Sequence, residues 1–243
     1  MPAEQGPAVD EAIRSRLALV LDVDDLVVAV RLARDLRPWF GVAKVGLELY
    51  SAAGPDAIAS LADLGYDVFI DLKLFDIPTT VGKASRVLGS IGARYLTMHA
   101  RGDADMLRAG VEGLREGASL AGLPDPYPLA VTVLTSDGGA PPHILPFRVA
   151  LAAETDCGGI VCAAADLVEA RQIAPRLLKV VPGIRPTGTD LHDQARSATP
   201  REAIGAGADL LVIGRAVTQA DDPAAAAQAI TDEIAEFEAE HQG

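Results

Sequence analysis

Residues 68–80 read Val-Phe-Ile-Asp71-Leu-Lys73-Leu-Phe-Asp76-Ile-Pro78-Thr-Thr80. An apolar run carrying β-branched and aromatic residues passes through charges into a proline suited to a helix's first turn, which is one strand-to-helix unit. Seven further apolar runs, at 17–23, 42–48, 95–100, 129–134, 159–163, 178–182 and 210–214, are each followed by a stretch long enough for a helix, as at 103–121 and 223–240. Helix starts are marked by Asp24 and Asp25, Asp166, Thr199 before Pro200, and Asp222 before Pro223. Strand and helix thus alternate eight times, which forces parallel strands joined by right-handed crossovers. Near-continuous apolar strands suit a sheet covered on both faces. Eight units in 243 residues match a closed (β/α)8 TIM barrel, which takes about 250 residues.

The fold expected is therefore α/β, a single barrel domain over residues 17–243 behind a ragged segment at 1–16. An open doubly wound sheet is the competitor, but its dinucleotide fingerprint is absent. Gly205-Ala-Gly207 precedes a strand and lacks the third glycine, and Gly82-Lys83 lacks the first glycine of a phosphate loop. Residues 124–128 and 141–146 read as proline-rich surface turns, and 186–197 as a polar loop.

Composition narrows the function. Apolar residues make up 49% and charged residues 23%, enough to build a core, while 4% aromatics give no base-stacking platform. A formal charge of −13 repels nucleic acid and anionic lipid, so an anionic ligand has to be held by local cations. No apolar run approaches the length of a membrane span, and no secretory h-region opens the chain. Two cysteines, Cys157 and Cys162, make no disulfide framework, and the reading is a cytoplasmic protein. His99, His143, His192 and His241 have no ligand spacing, so no metal site is expected.

In such a barrel, function sits at the C-terminal ends of the strands. The polar residues there are Asp22, Lys44, Glu48, Asp71, Lys73, Asp76, His99, Thr135, Ser136, Arg185 and Arg215. Strand alternation would put Asp71 and Lys73 on the lumen face, about 6.6 Å apart. Two ionisable groups in so apolar a run are costly unless paired. Of 21 cationic residues only four are lysine, Lys44, Lys73, Lys83 and Lys179. Where arginine is the default cation, lysine marks a place that needs a proton to move, because arginine effectively never releases one. Lys44 and Lys73 on the rim are the candidates for that role; Lys83 and Lys179 read as structural. After strands seven and eight, Arg185, Gly214 and Arg215 make an anion site, with Gln194 in the intervening loop able to close over the ligand.

Taken together, Leu17-Ala-Leu-Val-Leu-Asp22, Lys44-Val-Gly-Leu-Glu-Leu, Asp71-Leu-Lys73-Leu-Phe-Asp76-Ile-Pro-Thr-Thr80, Val131-Thr-Val-Leu-Thr135-Ser136, Val181-Pro182-Gly-Ile-Arg185-Pro, Asp193-Gln194 and Val212-Ile-Gly214-Arg215 follow one another in an order that resembles the orotidine 5'-phosphate decarboxylase family. The resemblance implies conversion of orotidine 5'-monophosphate to uridine 5'-monophosphate and CO2 in de novo pyrimidine biosynthesis, by a homodimer using no cofactor or metal. It implies Lys73 as proton donor, with Lys44 and Asp71 completing the charged array and Asp76 and Thr80 presented to the neighbouring subunit's site. Asp22 and Lys44 would meet the ribose, Thr135 and Ser136 the pyrimidine, and Arg185, Gln194, Gly214 and Arg215 the phosphate, with Pro182 also contacting substrate. Thr79 and the Asp137-Gly-Gly stretch depart from the family pattern without touching a charged catalytic position. Two other functions fit this type of barrel: a magnesium-dependent sugar-phosphate decarboxylase or synthase, and a catalytically silent nucleotide-binding barrel.

Overall fold

A computed structural model describes residues 9–134, 137, 139–186 and 197–241. Eight parallel strands, β1 (Leu17–Val20), β2 (Val42–Val45), β3 (Asp67–Leu74), β4 (Ala93–His99), β5 (Tyr127–Val131), β6 (Gly159–Val161), β7 (Leu178–Pro182) and β8 (Leu210–Ile213), pair in sequence order and close from β8 onto β1. The expected barrel is thus present. Helices follow in chain order: α1 (Glu11–Arg14), α2 (Leu26–Leu36), α3 (Leu47–Ala53), α4 (Pro55–Asp63), α5 (Pro78–Ser90), α6 (Ala104–Leu120), α7 (Ile144–Glu154), α8 (Leu167–Ile173), α9 (Pro200–Ala206), α10 (Arg215–Thr218) and α11 (Pro223–His241).

The strands bury both faces for the reason their apolar runs suggested. Alternate residues Ala18, Val42, Phe69, Tyr95, Leu129, Val180, Leu210 and Val212 pack against one another in the lumen. Their neighbours Leu17, Leu19, Ala43, Ile70, Leu96, Met98, Ile160, Val181 and Leu211 face the helices. One strand step above the lumen core stand Lys44, Asp71 and Thr97, so the inward face changes from apolar to polar at the rim. Several helix starts follow the expected chemistry. Asp25 accepts from the amides of Val27 and Val28, and Thr199 and Glu202 form a reciprocal capping box in front of α9.

Four expectations need correction. The expected ragged segment 1–16 includes α1: Asp10 caps this helix, Ile13 is buried, and Arg16 binds Glu238 at 2.6 Å and the carbonyl of Ala208. A helix of four residues is too short to show periodicity, which hid it. Glu48 belongs to α3 and not to the end of a strand, because Gly46 ends β2 and the following residues are good helix formers. Pro128 is inside β5, near its start, where a missing amide is tolerated. Pro146 lies in the first turn of α7, where its amide would have had no intrahelical partner.

Candidate active site

The rim of the barrel holds four charged side chains in alternating sign. Lys44, from β2, lies 3.3 Å from the carboxylate of Asp22, just beyond β1, and 3.5 Å from that of Asp71 on β3. Lys73 donates to both oxygens of Asp71, at 2.8 and 2.9 Å. The array is graded in exposure: the Lys44 side chain is 9% exposed and that of Asp71 15%, whereas Lys73 at 35% and Asp22 at 55% reach toward solvent. Asp71 resists its own burial through its partners. Desolvation opposes the charge, but the ammonium groups of Lys44 and Lys73 and hydrogen bonds from Lys73 and Thr97 outweigh it, and hold the carboxyl below the usual range.

Regular alternation does not bring Asp71 and Lys73 together, as had been expected. The β3 to β4 register slips between Ile70 and Leu74, and Lys73 adopts φ 49°, a left-handed conformation uncommon for a residue with a Cβ. This bend turns the lysine back onto the carboxylate two residues before it.

The array opens on a cavity of about 430 Å³, lined on the opposite side by Pro182, Arg185, Gly214, Arg215 and Gln219 and at its floor by Val131, Val161 and Val212. The cavity is of a size that encloses a small ligand. Charges suited to an anion thus face an alternating ion array across an apolar floor. Of the expected residues, Asp22, Lys44, Asp71, Lys73, Pro182, Arg185, Gly214 and Arg215 line this one cavity. Asp76 and Thr80 do not. They sit exposed on the β3–α5 connection and the first turn of α5, with Asp76 accepting from the amide of Ile77 at 2.7 Å. Thr135, Ser136 and Gln194 lie outside the described residues.

His99 borders a separate cavity of about 200 Å³ with Arg101 and Arg148. Its pKa is lowered by burial first and then by Arg148, Arg101 and Lys73, so its ring favours the neutral form. Lys179 is buried and donates to the carbonyl of Pro175 at 2.7 Å, a structural role as expected. Burial pushes the Cys157 thiol up to about 11, which leaves it unreactive at neutral pH. Among the described residues, no three His, Cys, Asp or Glu side chains group as metal ligands, and no helix is long and apolar enough to cross a membrane.

Sequence reasoning assigns no role to Thr97, nor to Gly46 and Gln219, although the last two stand within or beside the motifs that carry the resemblance. Thr97 shares the inward alternation of Tyr95 and His99 on β4, a signal that was available. Gly46 carries no side chain to notice.

A model described as Orotidine 5'-phosphate decarboxylase / HUMPS family matches residues 15–230. The chain belongs to this family. One relative, the orotidine 5'-phosphate decarboxylase of Anaeromyxobacter dehalogenans strain 2CP-1, is 46% identical over 226 residues, spanning 88% of this chain and 96% of the relative. The enzyme of the same name from Moorella thermoacetica is 40% identical over 233 residues, spanning 91% and 92%. Among solved structures, orotidine 5'-phosphate decarboxylase from Lactobacillus acidophilus superposes with a TM-score of 0.77 at 33% identity, over 90% of this chain and 98% of that one. The Pyrococcus horikoshii OT3 enzyme gives 0.71 at 26% identity, over 90% and 99%. The family membership agrees with the motif order read from the sequence, and these relatives favour neither the magnesium-dependent nor the silent alternative.

Proposed function

We propose that this chain decarboxylates orotidine 5'-monophosphate to uridine 5'-monophosphate in de novo pyrimidine biosynthesis. The single observation that carries the reading is the array Lys44–Asp71–Lys73 at 3.5 and 2.8 Å, facing Arg185 and Arg215 across one cavity. The arginines and Gly214, with Gln194, hold the phosphate; Asp22 and Lys44 take the ribose, Thr135 and Ser136 the pyrimidine, and Pro182 packs against the ligand.

Breaking the bond from C6 to the carboxylate releases CO2 and leaves an electron pair in an sp2 orbital that the ring does not delocalise. A fixed ammonium beside that carbon stabilises the charge as it forms and then supplies the proton. Lys73 takes this part, and solvent later restores its proton. Asp71 keeps both neighbouring lysines charged and stands close to the departing carboxylate. Two like charges about 4 Å apart repel by about 4 kcal/mol at an effective dielectric of about 20. Relief of that repulsion as neutral CO2 leaves is worth at most about three decades of rate. Asp76 and Thr80 serve the site of a second subunit in a homodimer. No cofactor or metal is required by this scheme, and the two cysteines, both buried as thiols, suit the cytoplasm.

The test is loss of orotidine monophosphate absorbance, followed in chelator for wild type and Lys73→Ala. We expect undiminished wild-type turnover and a loss of at least about three decades in the variant, the scale of a missing proton donor and charge stabiliser together. A wild type that turns over nothing, or only when magnesium is restored, rejects the reading.

A further inference from the structure

The left-handed bend at Lys73 needs something to hold it. A residue with a Cβ at φ 49° costs about 1–2 kcal/mol relative to ordinary backbone. The β-ladder does not supply the restraint. Ile70 pairs with Leu96 and the next pair is Leu74 with Met98, so β3 advances four residues while β4 advances two. Residues 71–73 therefore bulge away from regular pairing, and the residue of β4 opposite the bulge is Thr97.

Thr97 is 0% exposed, and its hydroxyl makes two contacts. It accepts from the backbone amide of Lys73 at 2.9 Å and donates to Oδ1 of Asp71 at 3.0 Å. An ionised carboxylate only accepts and an amide only donates, so the partner between them must do both, and a hydroxyl can. The hydroxyl thus replaces the ladder hydrogen bond that the bulge removes, and it ties that backbone position to the carboxylate that the Lys73 ammonium binds. We infer that Thr97 is a positioning residue for the reaction, its hydroxyl setting the backbone of Lys73 and the carboxylate of Asp71 so that the ammonium stands at a fixed place over the cavity.

This inference rests on the reading of Lys73 as proton donor. Thr97 does not border the cavity, so it acts through those two residues and not on substrate. It also belongs to the set of groups facing Asp71, with Lys44 from β2 and Lys73 from β3; Asp22 is reached only through Lys44, and His99 stands two residues further along β4. Its hydrogen bond is one of the causes that keep the Asp71 carboxyl low. Removing the bond raises that pKa. Asp71 is then protonated at a higher pH, and the acid limb of kcat moves upward.

The experiment compares wild type, Thr97→Val, Thr97→Ser and Lys73→Ala for decarboxylation across pH. Valine keeps the shape and removes the hydroxyl; serine keeps the hydroxyl and removes the methyl. A displacement of about 1 Å at a reacting group costs up to about a hundredfold, so we expect Thr97→Val to lose at least about tenfold in kcat. KM and uridine monophosphate affinity should stay within about threefold, the signature of an interaction felt in the transition state and not in ground-state binding. Thr97→Ser should recover most of the lost rate, and only the valine variant should show the raised acid limb. A kcat loss in Thr97→Val below about tenfold, or an equal loss in Thr97→Ser, overturns the inference. Should Thr97→Val fail to fold, Thr97→Ala removes the same hydroxyl without adding bulk and carries the same expectation per folded molecule, counted by uridine monophosphate binding. Lys73→Ala separates the two readings: if it is inactive while Thr97→Val is not impaired, only the role of Thr97 falls, whereas wild-type turnover by Lys73→Ala removes the lysine reading and the Thr97 inference with it.

Discussion

Gly46 is fully accounted for by what surrounds it. A Cβ there would stand 2.7 Å from Oδ1 of Asp22 and 3.1 Å from Nζ of Lys44, closer than carbon approaches either atom without displacement. Its φ of −89° is open to any residue, so the glycine is required by space and not by backbone conformation. In Gly46→Ala the Asp22 carboxylate, at the free end of an exposed side chain, moves away and the 3.3 Å pair with Lys44 is lost. Stability should hardly change, because the added methyl displaces no backbone and alanine stiffens the unfolded chain, worth about 0.4–1 kcal/mol in the protein's favour. Activity should fall, by about tenfold in kcat/KM, since one misplaced polar contact to the ligand is worth about 1.4 kcal/mol. Thermal unfolding measured beside kcat/KM checks this: a variant that loses stability and activity together would show that Gly46 serves packing and not the charged array.

At the scale of elements, the backbones of α5 and α6 approach each other closely. Gly82 and Gly89 on one helix, and Gly113 and Gly117 on the other, each face backbone atoms across the seam. A Cβ on Gly113 would lie 2.2 Å from the carbonyl oxygen of Gly82, and one on Gly117 would lie 2.0 Å from that of Arg86. Four glycines cost these helices about 1 kcal/mol each against alanine, so close approach of the backbones is what they are exchanged for. Because the obstructing atoms are backbone, Gly113→Ala should push α5 outward and destabilise by about 1–3 kcal/mol, lowering Tm by several degrees in scanning calorimetry. Since α5 begins at Pro78, two residues after Asp76, the shift should lower activity as well. An alanine variant as stable as wild type would show that the seam is not tight. This seam also marks where the sequence stops being readable. Eight apolar runs, the caps at Asp25 and Thr199, and the proline opening α5 are local signals, and all correspond to elements of the barrel. A helix–helix seam of glycines is a relation between distant residues, and in one dimension it looks like weak helix propensity. The same holds in the site. Lys44, Asp71 and Lys73 were visible as charges in apolar runs, whereas alternation gives Thr97 only its inward face and the bulge opposite it gives its contacts.

At the scale of the whole molecule, Asp76 and Thr80 lie outside the cavity that Lys44, Asp71 and Lys73 line. A formal charge of −13 gives the surface no general attraction for an anionic nucleotide, and Lys44, Lys73, Arg185 and Arg215 are gathered around a single cavity. Asp76 carries the opposite charge, stands outside that cavity, and is flanked by Phe75 and Ile77, which are 60% and 66% exposed. Two large apolar side chains held out beside an acidic residue suit a face that a second copy covers, the carboxylate then entering the neighbour's site. If so, Lys73→Ala and Asp76→Ala each lose activity in different ways, one by lacking the site's own ammonium and the other by lacking the carboxylate given to its neighbour. Mixed at equal concentration with subunit exchange, half the dimers are hybrids, and each hybrid holds one complete site and one lacking both groups. About a quarter of wild-type activity should therefore return under two-fold symmetry. Recovery is read by the decarboxylation assay and exchange by mass-tagged subunits. Full exchange with no recovered turnover would place Asp76 within its own chain's site or outside catalysis altogether, and the exposed apolar pair beside it would then need another explanation.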